Sequence, residues 1–549
     1  MEWAKKLFGG SKEPFVDKAG LVRWERMDEA LRVRCAVWAD GRCLIAAGYS
    51  GDPNVREVLL ELKRTGVLLG NLREEVGSLV DVAAAWSGEE GGEVTSNPEM
   101  VKGLVGLFSE AAKAEASDIV FEMGAADCRV YAIVNDKKLQ MGSPMALREA
   151  RAATGYLFWC KDEGSRQTGW QRQSFQGFSV RPGPALPLTD GIAALRCQRG
   201  PHEPDGDHLF IRLFYRDRIS EDKSLEDLGF GPDIVDMFRE IRLSKHGGIF
   251  IGGVTGDGKS TSMAVNLNLQ MKEHDHKLNM VTLEDPVEYP IRGAVQIAVP
   301  TTGVGEDREL HYRSALMHFV RLHPASGMVS EIRDKMGAQQ VLQFIDSGHQ
   351  IWTTIHVHSA NSILFRLIDL GVSEAEVTKK GNVRLLMKQT LLSILCPKCR
   401  KPEDPRQREL PGALRELLGG EVRYRDPEGC PVCRKVGDSE LRRTAWAGYV
   451  ARIAVAETIA PDDGYLGFVR ERDAIGAWNH WVKELGGVPV GAKMWRAVAE
   501  GRVDPFDALN KGAQVVEAVE LFGAGEGPRE GDASGRPALA VVGSGEPAE

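Results

Sequence analysis

Eight residues, Gly253 to Ser260, read GVTGDGKS and fit the phosphate-binding pattern G-x-x-x-x-G-K-[ST]. An apolar, strand-like run (248–251) precedes this loop, and a helix-like run (261–267) follows it. In that context the glycines let backbone N–H groups turn inward around phosphate oxygens, and the helix N-terminus adds a partial positive charge. We expect Lys259 to reach the β- and γ-phosphates and the Ser260 hydroxyl to hold Mg²⁺. The sequence therefore predicts a nucleotide site.

Carboxylates stand at the ends of two later strand-like runs. The first run ends in Glu284 and Asp285, with Glu288 close behind, and the second ends in Glu331. Strand C-termini face the ligand crevice of an open α/β sheet, so these acids could hold Mg²⁺, its waters or the attacking water. Glu331 is placed to polarise that water, and whether Glu284 or Glu331 is the base stays open.

Three residues near these acids have two interpretations each. Arg333 follows Glu331 by two positions and could instead form an ion pair with its neighbour Asp334. His349 and His356 bracket another strand-like run. An isolated histidine usually has a structural role, but here one of the pair is expected to sense the γ-phosphate.

Two C-x-x-C pairs have the spacing of a metal site, and their four thiols belong to Cys396, Cys399, Cys430 and Cys433. Four thiolates at this spacing suit tetrahedral Zn²⁺ in a closed structural site. A single pair could be redox-active, but two pairs in a chain expected in a reducing compartment favour zinc. Because the loop between the pairs is polar, we expect zinc to fold a segment that cannot bury its own core.

Length and composition set the broad class. At 549 residues the chain exceeds what one core usually covers, so three or four domains are expected. A net charge of −9 gives no overall attraction to nucleic acid or to an acidic membrane, and no direct nucleic-acid contact is expected. No apolar run approaches the ~20 residues that span a bilayer, and the first ten residues lack the core of a secretory signal. These features predict a cytoplasmic protein.

The elements that must position the candidate residues follow two patterns. In the first part of the chain we expect a strand at Leu31–Trp38, helices at 55–64 and 99–116, and strands at Ile119–Phe121, Arg129–Val134, Gly177–Val180 and Leu209–Phe214. The region from Pro182 to Pro204 gives no clear topology. From 241 to 392, helices alternate with strands at Gly248–Gly252, Lys277–Leu283, Met328–Glu331 and Gln350–Ile355, which predicts an α/β fold with a mostly parallel sheet. A Gly/Glu/Ser-rich linker at 87–98, helices after Ile459 and a disordered tail from Gly523 complete the prediction.

Four motifs, in this order, resemble those of the ATPase family that powers type II secretion, type IV pilus assembly and retraction, and related conjugative pili. They are the phosphate loop GVTGDGKST, the aspartate box VTLEDPVEY, the acidic motif SEIRD and the histidine box SGHQIWTTIH. The segments ASDI (116–119), SLEDLGF (224–230), ILCPKC (394–399) and MWRAVAEGRVDPFDAL (494–509) also resemble family segments. The likeness covers roughly residues 100 to 515.

The resemblance implies a RecA-like P-loop ATPase core preceded by a PAS-like α+β domain. A zinc-binding insertion and a helical C-terminus would follow. The implied division is an N-terminal docking domain (1–92), the PAS-like domain (99–235), the core (241–392), the tetracysteine insertion with its return to the core (393–458), a helical region (459–522) and the tail (523–549).

The resemblance also assigns roles to residues. The nucleotide and Mg²⁺ would be bound by Gly253, Val254, Thr255, Gly256, Asp257, Gly258, Lys259, Ser260 and Thr261. Glu284, Asp285 and Glu288 are the aspartate-box acids, Glu331 is the acidic-motif glutamate, and His349 and His356 are the histidine-box pair. Family members send arginines from the preceding domain towards a neighbouring subunit's phosphates. Arg181, Arg196 and Arg212 are candidates for this role, with a surface or ion-pair role as the alternative.

The function implied is that of a homo-hexameric ATPase, peripheral at the inner membrane, which uses ATP, Mg²⁺ and Zn²⁺. It would drive pilus assembly or type II secretion through a membrane platform protein. Three departures from the family pattern favour the conjugative or thin-pilus branch. They are the loss of the LRxDPD acids at 320–325, Ser330 in place of glycine, and a histidine box that ends in HVHS (356–359) instead of LHTN. The tetracysteine insertion favours an extension or secretion motor. The alternatives are a DNA-handling P-loop motor and a non-hydrolysing nucleotide-binding scaffold.

Overall fold

The structure is a computed structural model that describes residues 15–16, 21–23, 29–46, 49, 51–65, 72–77, 82, 98–161, 175–188, 191–202, 206–215, 219, 222–299, 306–418, 422–434 and 439–515. The predicted linker up to residue 97 and the tail from Gly523 lie outside these residues. Within these ranges, no helix is long and apolar enough to cross a membrane. The chain divides into two compact units, Met1–Phe214 and Tyr215–Glu549.

The first unit begins with two small sheets. Strands β1 (Phe15–Val16) and β2 (Val22–Arg23) form one, and strands β3 (Cys35–Val37), β4 (Arg42–Ala46) and β5 (Arg73–Gly77) form the other. Helices α1 (Glu29–Arg34) and α2 (Pro53–Arg64) accompany them, which confirms the helix predicted at 55–64. The strand predicted at Leu31–Trp38 is wrong in its first half, because Leu31 lies in a helix and joins Val55 and Val58 of α2 in one hydrophobic cluster.

The rest of the first unit is a seven-stranded sheet with helices α3 (Pro98–Lys113) and α4 (Leu147–Trp159). Its strands are β6 (Asp118–Met123), β7 (Asp127–Val134), β8 (Lys137–Gln140), β9 (Met145–Ala146), β10 (Gln176–Val180), β11 (Ile192–His202) and β12 (Gly206–Tyr215). They lie in the order β10-β11-β12-β6-β7-β8, and β9 pairs with β7. The four strands and the helix predicted here are confirmed. The sequence missed β11, because Gly200 and Pro201 interrupt its pattern.

The second unit is built on another seven-stranded sheet, in the order β15-β14-β16-β17-β13-β18-β19. The strands are β13 (Gly247–Gly252), β14 (Met280–Glu284), β15 (Val295–Ala298), β16 (Ser326–Val329), β17 (Gln350–Ile355), β18 (Val383–Leu395) and β19 (Tyr449–Ile459). Neighbouring strands are parallel except β18 and β19, which form an antiparallel pair. The prediction of an α/β fold with a mostly parallel sheet is therefore confirmed. The β18–β19 pair was not predicted.

Helices cover both faces of this sheet. Side chains alternate between the faces along a strand, so Ile249 and Ile251 point one way and Phe250 the other. The first face packs on α5 (Pro232–Leu243) and α6 (Lys259–Glu273). The second packs on α7 (Glu306–Arg321), α8 (Lys335–Asp346) and α9 (Ser362–Asp369). Burial on both faces explains why the strands are almost continuously apolar.

The segment at 224–230 differs from its predicted assignment. The sequence groups it with the preceding domain, through residue 235. In the structure Leu225 and Phe230 join Ile249, Ile251 and Trp352 in one hydrophobic cluster. Burial of these apolar side chains therefore fixes the segment to the second unit, and the structural division lies at Phe214 rather than near 235.

The C-terminal part is helical, as predicted. Four short helices follow α9: α10 (Glu374–Val377), α11 (Gly412–Leu417), α12 (Pro431–Arg434) and α13 (Glu440–Ala445). The C-terminal helices are α14 (Asp463–Arg470), α15 (Ala474–Lys483), α16 (Val490–Ala499) and α17 (Pro505–Asn510). The cysteine-bearing insertion was expected to be too polar to bury a core of its own, and its apolar side chains pack instead on the C-terminal helices. Leu410, Leu414 and Leu418 pack in one cluster with Trp495 and Val498 of α16, so the insertion shares a core with the C-terminal helices.

Candidate active site

The phosphate-type loop joins β13 to α6 at the carboxyl edge of the parallel sheet. Gly256 and Gly258 adopt positive φ angles of 89° and 78°, which favour glycine. At Gly253 a Cβ atom would lie 2.8 Å from the carbonyl oxygen of Gln389, so a side chain would clash with backbone. Since Lys259 begins α6, the loop leads directly into a helix N-terminus, which is a ready-made anion site.

Side chains of strand β18 anchor this loop. The sequence predicted the loop but not these contacts. The Asp257 carboxylate is almost fully buried and accepts hydrogen bonds from Val254 N at 2.9 Å and from Thr390 Oγ1 at 3.1 Å. The Gln389 side chain donates to the Asp257 carbonyl at 2.7 Å. The Asp257 side chain therefore braces the loop internally, and a nucleotide contact through the Asp257 backbone stays a prediction. The polar Gln-Thr pair within an otherwise apolar strand is the signal that could have revealed this anchor.

Lys259 lies inside the loop. Its Nζ donates to the carbonyls of Gly253 at 2.8 Å and Val254 at 2.9 Å. Burial lowers the pKa of this amine, while the negative charges of Asp257, Glu331 and Glu288 oppose the shift. The charged amine of Lys259 thus lies close to the loop and to two carboxylates, Glu288 after β14 and Glu331 after β16.

Glu331 is held between a histidine and an arginine. His356 Nε2 lies 3.1 Å from Glu331 Oε1, and Arg333 Nε donates to Glu331 Oε2 at 2.9 Å. Arg333 also donates through Nη1 to Asp285 Oδ2 at 3.1 Å. One guanidinium thus joins the acids that follow β14 and β16, which fixes the orientation of Glu331 towards the loop.

The backbone around Glu331 is also pinned. Tyr312 of α7 donates its hydroxyl to the Glu331 carbonyl at 3.0 Å, and Thr354 of β17 donates to the Ser330 carbonyl at 2.5 Å. The Ile332 N–H donates in turn to the Thr354 carbonyl at 3.1 Å. These bonds prevent the strand end from changing its direction, so Glu331 stands on a rigid support.

Glu284 lies deeper than the other acids. It is 6% exposed, and its Oε1 accepts hydrogen bonds from Thr282 Oγ1 at 2.6 Å and Gln296 Nε2 at 2.9 Å. Burial raises its pKa, against the effect of these hydrogen bonds. Gln296 also donates to the Tyr289 carbonyl at 2.9 Å. Glu284 therefore forms part of a buried hydrogen-bond network with Thr282 and Gln296, whereas Glu331 is partly exposed.

Other predicted residues are placed differently from the expectation. Asp334 does not pair with Arg333: it caps α8 by accepting from Gly337 N at 2.7 Å. His349 precedes β17 at the amino edge of the sheet, whereas His356 follows β17 at the carboxyl edge. Six residues at ~3.3 Å each put His349 about 20 Å from that edge. There it stacks on Phe344, so within one chain it cannot contact a phosphate held by the loop.

The three candidate arginines lie in the first unit. Arg181 follows β10, Arg196 lies in β11 and Arg212 lies in β12. Arg212 pairs with Asp118 at 3.0 Å, which is the ion-pair role left open by the sequence. A role for these arginines at a neighbouring subunit's phosphates stays a prediction.

The four cysteine thiols come together at the ends of β18 and β19. Sulfur–sulfur distances are 3.8 Å for Cys396–Cys430, 3.9 Å for Cys399–Cys433 and 3.9 Å for Cys430–Cys433. All four sulfurs lie within 4.8 Å of one another. Ligands at ~2.3 Å from a tetrahedral zinc ion would be about 3.8 Å apart, so the cluster has the dimensions of a metal site. Gly448 N donates to Cys433 Sγ at 3.3 Å, a contact suited to a thiolate.

Comparison with known proteins gives one family. The sequence profile described as "Type II/IV secretion system protein" matches residues 95–502. The type IV pilus assembly ATPase PilB of Acinetobacter baylyi is 30% identical over 258 residues, which cover 46% of this chain and 40% of PilB. The type II secretion system ATPase E of Vibrio cholerae is 30% identical over 261 residues, which cover 47% of this chain and 46% of that protein.

Among solved structures, the pilus retraction motor PilT with bound ADP aligns to 75% of this chain and 97% of its own, at 17% identity and a TM-score of 0.47. The matched segment spans less than half of the length of the two curated relatives described above.

Proposed function

We propose that this chain, which belongs to the type II/IV secretion system protein family, hydrolyses ATP and converts the cycle into movement that drives pilus assembly or type II secretion. The observation that carries the proposal is the convergence of Lys259 and Glu331 at the carboxyl edge of the sheet. A cation inside a phosphate loop and a carboxylate braced beside it are two of the groups that nucleotide hydrolysis uses, together with Mg²⁺.

The residues divide the chemistry among themselves. The loop amides and Lys259 would cradle the phosphates, and Glu331 would accept the proton of the attacking water. Arg333 and His356 hold the Glu331 carboxylate in one orientation through contacts of 2.9 and 3.1 Å. Ser260, exposed at the first turn of α6, would hold Mg²⁺, which neutralises charge on the β- and γ-phosphates when bound.

The finer architecture is part of the proposal. We infer a RecA-like core, a PAS-like domain within the first unit and an N-terminal docking region before residue 92. A homo-hexamer would let Arg181, Arg196 or Arg212 approach a neighbouring subunit's phosphates. Contact with an inner-membrane platform protein would hold the ATPase at the cytoplasmic side of that membrane. These expectations rest on the family and on the motifs.

Zinc fits the tetracysteine cluster. The sulfur–sulfur distances of 3.8–3.9 Å match a closed tetrahedral site and exceed the ~2 Å of a disulfide. A closed site leaves no open position for water, so its role is structural. The zinc would join the ends of the β18–β19 pair, where Cys396 immediately follows β18.

A turnover assay tests the proposal. Purified chain with Mg²⁺ and ATP should release phosphate, and the rate should be independent of added DNA. A rate that appears only with DNA would favour the DNA-handling motor. Nucleotide binding without phosphate release, from a preparation shown to be hexameric, would favour the non-hydrolysing scaffold.

A further inference from the structure

Glu457 is a buried carboxylate that holds two distant backbone segments together. It lies on β19 and is 1% exposed. Its Oε1 accepts a hydrogen bond from Ala360 N at 2.6 Å, and its Oε2 accepts one from Val490 N at 2.8 Å. Burial raises the pKa of this group, while the two N–H donors and the cations of Lys388 and Lys493 lower it. One carboxylate thus joins the turn before α9 to the first residue of α16.

A second bond ties the same turn to other C-terminal helices. The hydroxyl of Tyr465, in α14, donates to Asn361 Oδ1 at 2.8 Å. The Asn361 amide donates to the Ala474 carbonyl, at the start of α15, at 3.0 Å. Tyr465 is fully buried, so its hydroxyl has little freedom to exchange this partner for water. Residues 360 and 361 are therefore fixed to α14, α15 and α16 at once.

This turn continues directly from His356. The connection from β17 to α9 runs from His356 to Asn361, and within it Val357 and Ala360 are buried. Pairing of β17 with β13 and β16 fixes one end of the connection. The hydrogen bonds of Glu457 and Tyr465 fix the other end. A short segment held at both ends leaves His356 little choice of position. These anchors therefore lie at the far end of the short segment from which His356 contacts Glu331 at 3.1 Å.

We propose that Glu457, together with Asn361 and Tyr465, is a positioning residue that holds His356 against Glu331 and thereby ties the catalytic edge to the C-terminal helices. This inference rests on the proposed function, because it assigns Glu457 to the site at which Glu331 acts. Glu457 touches no substrate and acts only through the 356–361 connection. Movement of α14 or α16 would reach Glu331 by this route.

Two conservative substitutions test the route, and one matched control accompanies them. Y465F removes only the hydroxyl that binds Asn361, and E457Q removes the charge of the carboxylate and replaces one of its two acceptor oxygens by a donor. The control, Y449F, makes the same change at another buried tyrosine, whose hydroxyl donates to Asp507 at 2.6 Å instead of to the 356–361 connection. Each variant is made in the full-length chain with His356 present and with H356A.

The expected result is a loss of kcat by ~10-fold in Y465F and E457Q with unchanged ATP affinity, because a misplaced group reduces turnover without weakening binding. In the H356A background neither substitution should reduce kcat further. If Tyr465 and Glu457 had a purely structural role, the kcat losses of Y465F and E457Q would multiply with the kcat loss of H356A. Multiplicative losses, or wild-type kcat in Y465F, would overturn the proposal.

Hydrogen exchange gives a readout that needs no turnover. Peptides covering 356–361 should exchange faster in Y465F and E457Q than in wild type, and Y449F should match wild type in that segment. Unchanged exchange there would refute the anchor. A different outcome separates the anchor from the proposed function. If wild type hydrolyses no ATP but peptides 356–361 still exchange faster in Y465F and E457Q, Glu457 and Tyr465 do fix this segment. The proposed function and the assignment of Glu457 to catalysis then both fail.

Discussion

His356 Nε2 lies 3.1 Å from Glu331 Oε1, and Arg333 donates to the other oxygen of the same carboxylate at 2.9 Å. The two partners follow neighbouring parallel strands, β17 and β16, so the sheet itself brings them together. A carboxylate held on both oxygens keeps one orientation. This arrangement is why we propose Glu331, rather than the buried Glu284, as the acid that acts on water.

The two histidines of the histidine box should behave differently. H356A should lower kcat by about 10-fold or more, because it releases one side of the Glu331 carboxylate. H349A should retain a kcat close to that of wild type in the isolated protein, because His349 stands at the other edge of the sheet. Steady-state kinetics of both variants checks this. Equal losses would show that the histidines act in the same site, for instance across a subunit contact.

Arg333 should be required for turnover rather than for binding. R333K keeps one positive charge but cannot bridge Asp285 and Glu331 in one plane, so kcat should fall by ~10-fold with little change in ATP affinity. R472K changes an exposed ion pair to Glu374 and serves as the control. A weakened ATP affinity in R333K with normal kcat would instead make Arg333 a nucleotide contact.

The brace between β18 and the phosphate loop should control affinity. T390V preserves shape but leaves the buried Asp257 Oδ1 without the Thr390 donor, at a cost of ~1–3 kcal/mol. Nucleotide affinity should therefore fall, since the loop loses part of its support. Titration with a fluorescent ATP analogue measures this, and T154V, a buried threonine of the first unit, is the control. Undiminished affinity would show that the loop is rigid without β18.

One zinc ion per chain is expected in protein purified without chelators. Double substitution of Cys396 and Cys399 by serine should remove the zinc. It should also lower the thermal stability, because the four thiolates and the metal link the end of β18 to the start of β19. ATP binding should be damaged less than folding, since the cysteines lie outside the phosphate loop. C128S, a buried cysteine of the first unit, should keep the metal. Metal analysis that finds no zinc in fully active protein contradicts this account.

The sequence was informative where chemistry depends on local spacing. GVTGDGKS predicted the loop, and the apolar runs before Glu284 and Glu331 predicted strands whose ends meet at one edge. The same logic should have separated His349 from His356, because they stand at opposite ends of one strand. Their shared motif outweighed that geometry.

Contacts between distant segments were beyond local patterns. The bonds from Gln389 and Thr390 to the loop depend on β18 lying beside β13, and a long insertion hides the pairing of β18 with β19 in the sequence. The link from Glu457 to Ala360 and Val490 likewise joins three separate segments. Arg333 was ambiguous because its partner Asp285 comes from another strand, whereas Asp334 was merely adjacent.

The most direct test of the central claim compares wild type with E331Q and K259A in one assay of ATP binding and phosphate release. Wild type should bind and hydrolyse ATP. E331Q should bind normally and hydrolyse ~10²-fold or more slowly, while K259A should lose binding or turnover. If E331Q turned over at the wild-type rate, and above all if E284Q were then inactive, the assignment of Glu331 would be contradicted.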